Sequence, residues 1–225
     1  MEETHIQKKS LLIPLLSELA KEEGISFEVE PIWGFVARVK KKNGSYAYIR
    51  GNHLDLNTLG ATRVSADKAY SNYFLSQSGF PTITGDVFFT SSFANAILSD
   101  KTPEAALVYA RDTLTFPVVV KPNSSSQGRL VTFATDEATL LQAIEQISQI
   151  DRAFLVQRIV VGKDYRILVV DDQVLCAYER RAIEVHGDGV HTIDELLADK
   201  ISLLKTENRD IHFSVSDFRI DAKLA

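Results

Sequence analysis

The sequence contains a single cysteine, Cys176, among its 225 residues. One cysteine excludes an internal disulfide and a cysteine-rich zinc site, and it fits a reducing compartment. No apolar run approaches the roughly 18 residues that a membrane-spanning helix requires. The first two dozen residues contain five glutamates, which makes them a poor signal peptide. We therefore expect a soluble, cytoplasmic globular protein.

The sequence also has fewer basic residues than a nucleic-acid-binding protein with a broad basic face requires. The chain has 25 lysines and arginines against 30 aspartates and glutamates, for a net charge of −5. A broad basic face needs the opposite balance, because its affinity comes from the release of counterions. We expect neither nucleic acid nor a membrane among the partners. The length predicts one large domain or two small lobes, with enough buried surface for a core.

Several common catalytic and nucleotide-binding motifs are missing. The sequence has neither the Gly-x-x-x-x-Gly-Lys-Ser/Thr phosphate loop nor the Gly-x-Gly-x-x-Gly dinucleotide motif. It also lacks the Gly-x-Ser-x-Gly nucleophile elbow and the His-Glu-x-x-His zinc motif. The five histidines show no metal-ligand spacing, and we interpret each as a surface or structural residue.

Strands and helices alternate without a regular βαβ rhythm, which favours an α+β fold. An amphipathic helix is predicted over residues 5–23, either kinked at Pro14 or beginning near Ser10, and a hairpin is predicted around Asn43-Gly44. Residues 51–64 lack a period and are predicted to be a loop. Further helices are predicted over 66–78, from 102, over 135–149 and from 192, and strands over 82–89, 116–121, 129–134, 153–158, 164–170 and 174–180.

A lysine closes the most apolar of these strands. Lys121 follows a valine-rich run, and a buried lysine requires a charged or strongly polar partner. The next residues, 123–128, offer hydroxyls, small side chains and accessible backbone N–H groups, a composition that suits a lid over phosphates. The alternative is a solvent-exposed hairpin loop after an edge strand.

A second group of polar residues lies on the later strands. A short link between the strands 153–158 and 164–170, beside residues 156–159, leaves backbone groups free to bind a purine, and a nearby aspartate, Asp164, can accept hydrogen bonds from ribose hydroxyls. Arg166 and Arg180 lie on consecutive predicted strands, where they can clamp an anion together. The alternative is an ordinary surface salt-bridge ladder with Asp164 or Glu179.

Taken in order, these pieces resemble the ATP-grasp superfamily of carboxylate–amine ligases, in particular the ATP-grasp segments of cyanophycin synthetase and of the bifunctional glutathione synthetases. The resemblance runs from about Asn57 to Asp221. It rests on the order and spacing of five segments, namely 65–68, 116–128, 156–158, 162–170 and 187–196.

The resemblance implies two α+β lobes that hold ATP between them, over residues 61–155 and 156–225, preceded by a helix and hairpin segment over residues 1–60. Lys68 and Lys121 would contact the phosphates, and Asp164 would hold the ribose. Arg180 and Arg166 would face the γ-phosphate or an acyl-phosphate. The other implied residues are the phosphate-loop positions Ser124, Ser125, Ser126, Gln127 and Gly128, and the adenine-binding positions Gln157, Arg158 and Ile159.

The family reaction phosphorylates a carboxylate with ATP and then forms an amide with an amine. The resemblance therefore predicts an ATP-dependent ligase, or a fragment of one, that acts on an amino acid or peptide with ATP and Mg²⁺ as cofactors. Family members bind magnesium through acidic residues and a Glu-x-Asn pair on later strands, and we expect these ligands to be missing because the sequence ends at Ala225. The alternatives are a non-catalytic ATP-binding module, and a chain completed by a partner such as a second copy in a homodimer.

Overall fold

The computed structural model describes residues 12–126, 128–181 and 183–206. The chain divides into two compact units, one ending at Val160 and the other beginning at Val161. Helices and antiparallel sheets are mixed along the described chain, which confirms the α+β class. The domain limits predicted from the sequence, at residues 60 and 155, stay a prediction. No helix within the described ranges has the length and apolarity to cross a bilayer.

The first unit begins with a helix that covers one face of a four-stranded antiparallel sheet. Helix α1 (Leu12–Glu22) packs its buried Ile13 against Ala37 and Ile49 of this sheet. Apolar side chains at alternate positions of the strands form the covered face, because successive side chains of a strand point to opposite sides. The strands, in spatial order, are β1 (Phe27–Val29), β2 (Val36–Lys40), β3 (Tyr46–Arg50) and β4 (His53–Leu54).

The predicted hairpin between β2 and β3 is confirmed, with a loop one residue longer than the sequence suggested. Gly44 N donates to Lys41 O at 2.9 Å, and Lys41 N donates to Ser45 O at 2.8 Å. Gly44 has a φ of +86°. A turn followed by a left-handed residue is the usual three-residue hairpin loop, and glycine adopts that conformation at little cost.

The prediction of a loop over residues 51–64 is wrong, because this stretch contains β4 and most of α2 (Leu59–Ala66). Helix α2 has no buried residue, so its sequence carries no apolar period by which to recognise it. Asp67 ends α2 and also caps α3 (Lys68–Gln77), since its side chain accepts a hydrogen bond from Tyr70 N at 2.9 Å. The predicted helix over 66–78 therefore begins two residues later.

A second antiparallel sheet forms the centre of the first unit. Its strands are β5 (Gly85–Phe89), β6 (Val118–Pro122), β7 (Thr132–Ala134) and β8 (Ala153–Arg158), in the spatial order β5-β8-β6-β7. The intervening helical segments are α4 (Ser91–Ala96), α5 (Pro103–Val108), a π-helical segment (Tyr109–Leu114) and α6 (Glu137–Ser148). Val118 and Val120 point into the main hydrophobic core together with Phe154, Leu140 and Ile147.

The second unit contains a hairpin and a helix. Strands β9 (Asp164–Val170) and β10 (Gln173–Arg180) are joined at Asp171-Asp172, whose φ values are +47° and +65°. Helix α7 (Ile193–Thr206) begins with the predicted capping box. Thr192 Oγ1 accepts from Glu195 N at 3.3 Å, and Glu195 Oε2 accepts from Thr192 N at 2.8 Å.

Candidate functional site

Lys121 lies on the face of the central sheet that points away from the main core. Strand β6 lies between β8 and β7, so the edge strand of the alternative is wrong, although the loop after β6 does join the antiparallel pair β6–β7 as a largely exposed hairpin loop. In the register, Lys121 is opposite Leu155 and Val119 is opposite Gln157. Opposed residues of antiparallel strands share a face, so the side chains of Lys121 and Gln157 lie on the same side of the sheet.

The ammonium group of Lys121 is half-buried and electrostatically unfavourable where it stands. Burial lowers its pKa, and the positive charge of Lys68 lowers that pKa further. Within the described ranges, no carboxylate forms an ion pair with Lys121. A desolvated cation without a counterion is stabilised by an anion from solution, so this position is suited to binding one.

Lys68, the first residue of α3, has its ammonium group near that of Lys121. Its Nζ donates to the carbonyl oxygens of Pro122 at 3.2 Å and Asn123 at 2.9 Å, and also to that of Ser125. Burial lowers the pKa of Lys68, whereas the carboxylates of Asp151 and Asp67 act in the opposite direction. The structure thus brings Lys68 and Lys121 together, although 53 positions separate them in the sequence.

The predicted phosphate loop is anchored at its beginning and turns back on itself afterwards. Ser124 N donates to Asp151 Oδ2 at 2.8 Å, and Ser125 Oγ donates to Arg129 O at 3.2 Å. Ser126 O accepts from Arg129 N at 3.2 Å, and Gly128 has a φ of +73°. Gln127 lies outside the described residues. The loop therefore presents exposed serines on a fixed base beside the two lysines.

Three polar residues in this site were not predicted as site residues from the sequence. Asn123 is only 5% exposed, and its Nδ2 donates to Asp67 Oδ2 at 2.7 Å across 56 positions of sequence. Its Oδ1 accepts from Ala69 N at 3.0 Å. Asp151 fixes the loop through Ser124. Asp67 and Asn123 lie within the segments 65–68 and 116–128 of the resemblance, but their hydrogen bond joins distant parts of the chain and so leaves no local pattern.

The predicted adenine-binding positions lie where β8 ends. Gln157 is 5% exposed, and Arg158 is exposed while its N–H donates to Thr84 O at 2.9 Å. Ile159 is the first residue beyond the strand. The backbone N–H of Arg158 is therefore already hydrogen-bonded to Thr84. Backbone groups that are free to bind a purine begin at Ile159.

Asp164, Arg166 and Arg180 come together on one face of the hairpin in the second unit. Arg180 is opposite Asp164, and Arg166 is opposite Tyr178, so the two arginines are diagonal neighbours. Arg180 Nη2 lies 2.6 Å from Asp164 Oδ2, so the salt bridge named as the alternative does form. Both partners of this pair are about half-exposed, which leaves them free to exchange partners at low cost.

Lys68, Lys121, a loop of small residues and an antiparallel sheet thus lie together in the first unit, an arrangement suited to binding an anion. The family model of the RimK-like ATP-grasp domain matches residues 65–192. The chain therefore belongs to the RimK-like ATP-grasp family, which confirms the resemblance and the fold expected from the sequence.

Proteins of known function are similar to this chain over part of their length. The glutathione biosynthesis bifunctional protein GshAB of Lactiplantibacillus plantarum is 27% identical over 183 residues, which cover 81% of this chain and 23% of that protein. The cyanophycin synthetase of Trichormus variabilis is 33% identical over 137 residues, which cover 60% of this chain and 14% of that protein. The chain thus spans less than a quarter of either relative.

Among solved structures, the bifunctional glutathione synthetase of Pasteurella multocida aligns with a TM-score of 0.47 and 22% sequence identity. The alignment covers 86% of this chain and 25% of that one.

ATP-grasp ligases use ATP with magnesium, and the described residues fit these two groups differently. The triphosphate of ATP fits, because Lys121 lacks an ion-pair partner in the described ranges and stands beside Lys68. Magnesium does not fit in the same way, since no group of three or more His, Cys, Asp or Glu residues within the described ranges could hold a metal ion.

Proposed function

We propose that this chain is the ATP-binding part of a ligase that joins a carboxylate of an amino acid or peptide to an amine. The observation that carries this proposal is Lys121, a half-buried cation beside a second lysine at the end of a central strand. Membership of the ATP-grasp family supports the same function.

The chemistry of amide formation explains why such a protein needs cations. A carboxylate is a poor electrophile because its leaving group would be oxide. When bound, ATP supplies the phosphoryl group that turns the carboxylate into a mixed anhydride, which an amine can attack. The transferring phosphoryl group carries spread negative charge, so catalysis consists mainly of positioning and of cationic stabilisation.

In this proposal the residues of the first unit hold the phosphates. Lys68 and Lys121 neutralise the triphosphate, and the loop Ser124–Gly128 covers it with hydroxyl and N–H donors. A closed loop also excludes water, which would otherwise hydrolyse the activated carboxylate. Within the segment Gln157–Ile159, the backbone groups of Ile159 bind adenine, because the N–H of Arg158 already donates to Thr84 O.

The second unit carries its own proposed ligands. Asp164 accepts hydrogen bonds from the ribose, and Arg180 and Arg166 face the γ-phosphate or the acyl-phosphate. Arg180 would then exchange part of its ion pair with Asp164 for phosphate oxygens. We further propose that the protein acts in the cytoplasm on small amino acid or peptide substrates, with no nucleic acid or membrane as partner. A homodimer that completes the metal site belongs to the same proposal.

The lysine site can be tested by the change in melting temperature that ATP produces. ATP binding stabilises the folded state by about 2.7 kcal/mol at 100 times the dissociation constant. We expect Lys121→Met to abolish this shift, because methionine keeps the length of the side chain without its charge. Lys40→Met, which removes an exposed lysine of β2, serves as the matched control and should leave the shift intact. An undiminished shift in Lys121→Met would remove Lys121 from the site.

A second measurement separates a ligase from a binding module. The gene product is incubated with ATP, magnesium, single amino acids or dipeptides, and hydroxylamine, which traps activated carboxylates as coloured hydroxamates. A ligase releases phosphate and forms hydroxamate only with its own carboxylate. ATP binding without either product, over the whole panel, would support the non-catalytic alternative.

A further inference from the structure

The amide of Asn123 connects the end of β6 to the beginning of α3. Its Nδ2 donates to Asp67 Oδ2 at 2.7 Å, and its Oδ1 accepts from Ala69 N at 3.0 Å. Its backbone N donates to Ala153 O at 3.0 Å. At 5% exposure, a lost partner here would leave a buried polar group unsatisfied.

Both carboxylate oxygens of Asp67 accept hydrogen bonds that hold this connection together. Oδ1 accepts from Tyr70 N at 2.9 Å and so caps α3, while Oδ2 accepts from the Asn123 amide. The two residues thus form a single hydrogen-bonded unit at the N-terminus of the helix.

Polar contacts are what hold this end of α3 in place, because α3 has no buried residue. Hydrophobic packing normally fixes a helix against a sheet. Here the N-terminus is fixed by Asn123, by Asp67 and by the three carbonyl oxygens that accept from Lys68 Nζ. The position of Lys68 relative to Lys121 therefore depends on the Asn123–Asp67 unit.

We propose that Asn123 and Asp67 are positioning residues, which hold the ammonium of Lys68 beside Lys121 so that both cations face one phosphate chain. This inference rests on the proposed function. Neither residue needs to touch the ligand. Their role is to hold the start of α3, and with it Lys68, against the end of β6.

The first test replaces the amide donor with a carboxylate. Asn123→Asp places two carboxylates against each other, so the connection is lost. We expect the affinity for inorganic tripolyphosphate, measured by calorimetry, to fall at least about tenfold, the usual effect of losing a hydrogen bond to a charged group. The affinity for adenosine should stay unchanged. Asn95→Asp on α4 adds the same charge at an exposed position and should alter neither affinity.

The second test restores the connection with its polarity reversed. In the double variant Asp67→Asn, Asn123→Asp, the amide at position 67 can donate to the carboxylate at 123 and still cap Tyr70 N. The carboxylate at position 123 can still accept from Ala69 N. We expect tripolyphosphate affinity to return to within about threefold of wild type, since every hydrogen bond is remade with the same net charge. If Asn123 and Asp67 had a purely structural role, the double variant would regain the melting temperature of wild type but not its affinity for tripolyphosphate.

The outcomes separate this inference from the function on which it rests. If wild-type protein binds ATP and tripolyphosphate but Asn123→Asp binds both normally, the positioning role is wrong and the proposed function stands. An equal loss of adenosine and tripolyphosphate affinity, or a double variant as weak as Asn123→Asp, also overturns the positioning role. If wild-type protein binds neither ATP nor tripolyphosphate, the proposed function fails and the inference fails with it.

Discussion

At the scale of single residues, the charges of the candidate site lower the stability of the folded protein. Two ammonium groups are held close together, and the pKa of each is lowered by burial. The charge on Lys121 has no ion-pair partner in the described ranges, so in the absence of ligand it destabilises the fold. Active and binding sites commonly carry such local destabilisation, which a bound ligand relieves.

The lowered pKa of Lys121 predicts a specific dependence of stability on pH. Its pKa in the folded protein lies below the 10.5 of an ordinary lysine. Between these two values the unfolded chain binds more protons, so the free energy of unfolding rises with pH. We expect ligand-free Lys121→Met to melt no lower than wild type at neutral pH. Its advantage should shrink as the pH rises from neutral through the lowered pKa of Lys121 towards 10.5, measured by thermal unfolding.

The exposed Lys40 provides the control for this pH profile. Lys40→Met removes an exposed lysine of β2 and should follow wild type over the whole range. A constant difference between Lys121→Met and wild type across the range would contradict a lowered pKa for Lys121.

At the scale of elements, β5 and β8 approach so closely that only glycine fits at one position. A Cβ on Gly85 would lie 2.5 Å from Gln157 Cγ and 2.6 Å from the carbonyl oxygen of Val156. Gln157 lies on the same sheet face as Lys121, so Gly85 also determines where that glutamine side chain lies. The sequence shows Gly85 only as one glycine near the start of a predicted strand.

Two glycine-to-alanine substitutions test this packing. Gly85→Ala should lower the free energy of unfolding by about 1–3 kcal/mol, because the strands must separate to admit the methyl group. Gly60→Ala, on α2, is the matched control: nothing lies within 4 Å of its Cβ position, and alanine favours helix. It should leave stability unchanged or raise it by up to about 1 kcal/mol. Urea denaturation of both variants provides the measurement, and a neutral Gly85→Ala would contradict the close approach.

The elements that the sequence predicted well are those specified by neighbouring residues. The hairpin turns at Asn43-Gly44 and Asp171-Asp172 and the capping box Thr192–Glu195 were predicted because each is a short-range pattern. Helix α2 was missed, since it buries no side chain and so lacks an apolar period. Turns and helix caps can therefore be predicted from neighbouring residues, whereas an exposed helix such as α2 cannot.

At the scale of the whole molecule, the proposed nucleotide ligands are found in both compact units. Lys68, Lys121 and the loop belong to the first unit, whereas Asp164, Arg166 and Arg180 belong to the second. The adenosine and triphosphate parts of ATP can be varied separately, so the contribution proposed for each unit can be measured by itself.

Asp164→Asn tests whether the second unit contributes to nucleotide binding. If Asp164 accepts hydrogen bonds from the ribose, the affinity for ATP and for adenosine should fall about tenfold, because a charged acceptor is lost. The affinity for tripolyphosphate should not fall, because the substitution also releases Arg180 from its ion pair with Asp164. Calorimetry with the three ligands provides the measurement.

A neighbouring ion pair of the same hairpin supplies the control. Glu179→Gln breaks the 2.8 Å pair with Arg181 and should leave all three affinities unchanged. Equal loss of adenosine and tripolyphosphate affinity in Asp164→Asn would argue against a ribose role, and unchanged adenosine affinity would remove Asp164 from the nucleotide site.

The sequence by itself determined the α+β class, the ATP-grasp family and the candidate lysines, because periodicity, turn residues and motif order are written along the chain. Only the tertiary structure revealed that Lys68 lies near Lys121. It also revealed that Asn123 and Asp67 connect the end of β6 to α3, and that Asp151 anchors the loop. The physical reason is distance along the chain. Hydrogen bonds and charge interactions between residues more than 25 positions apart depend on how strands and helices pack, and that packing leaves no local pattern.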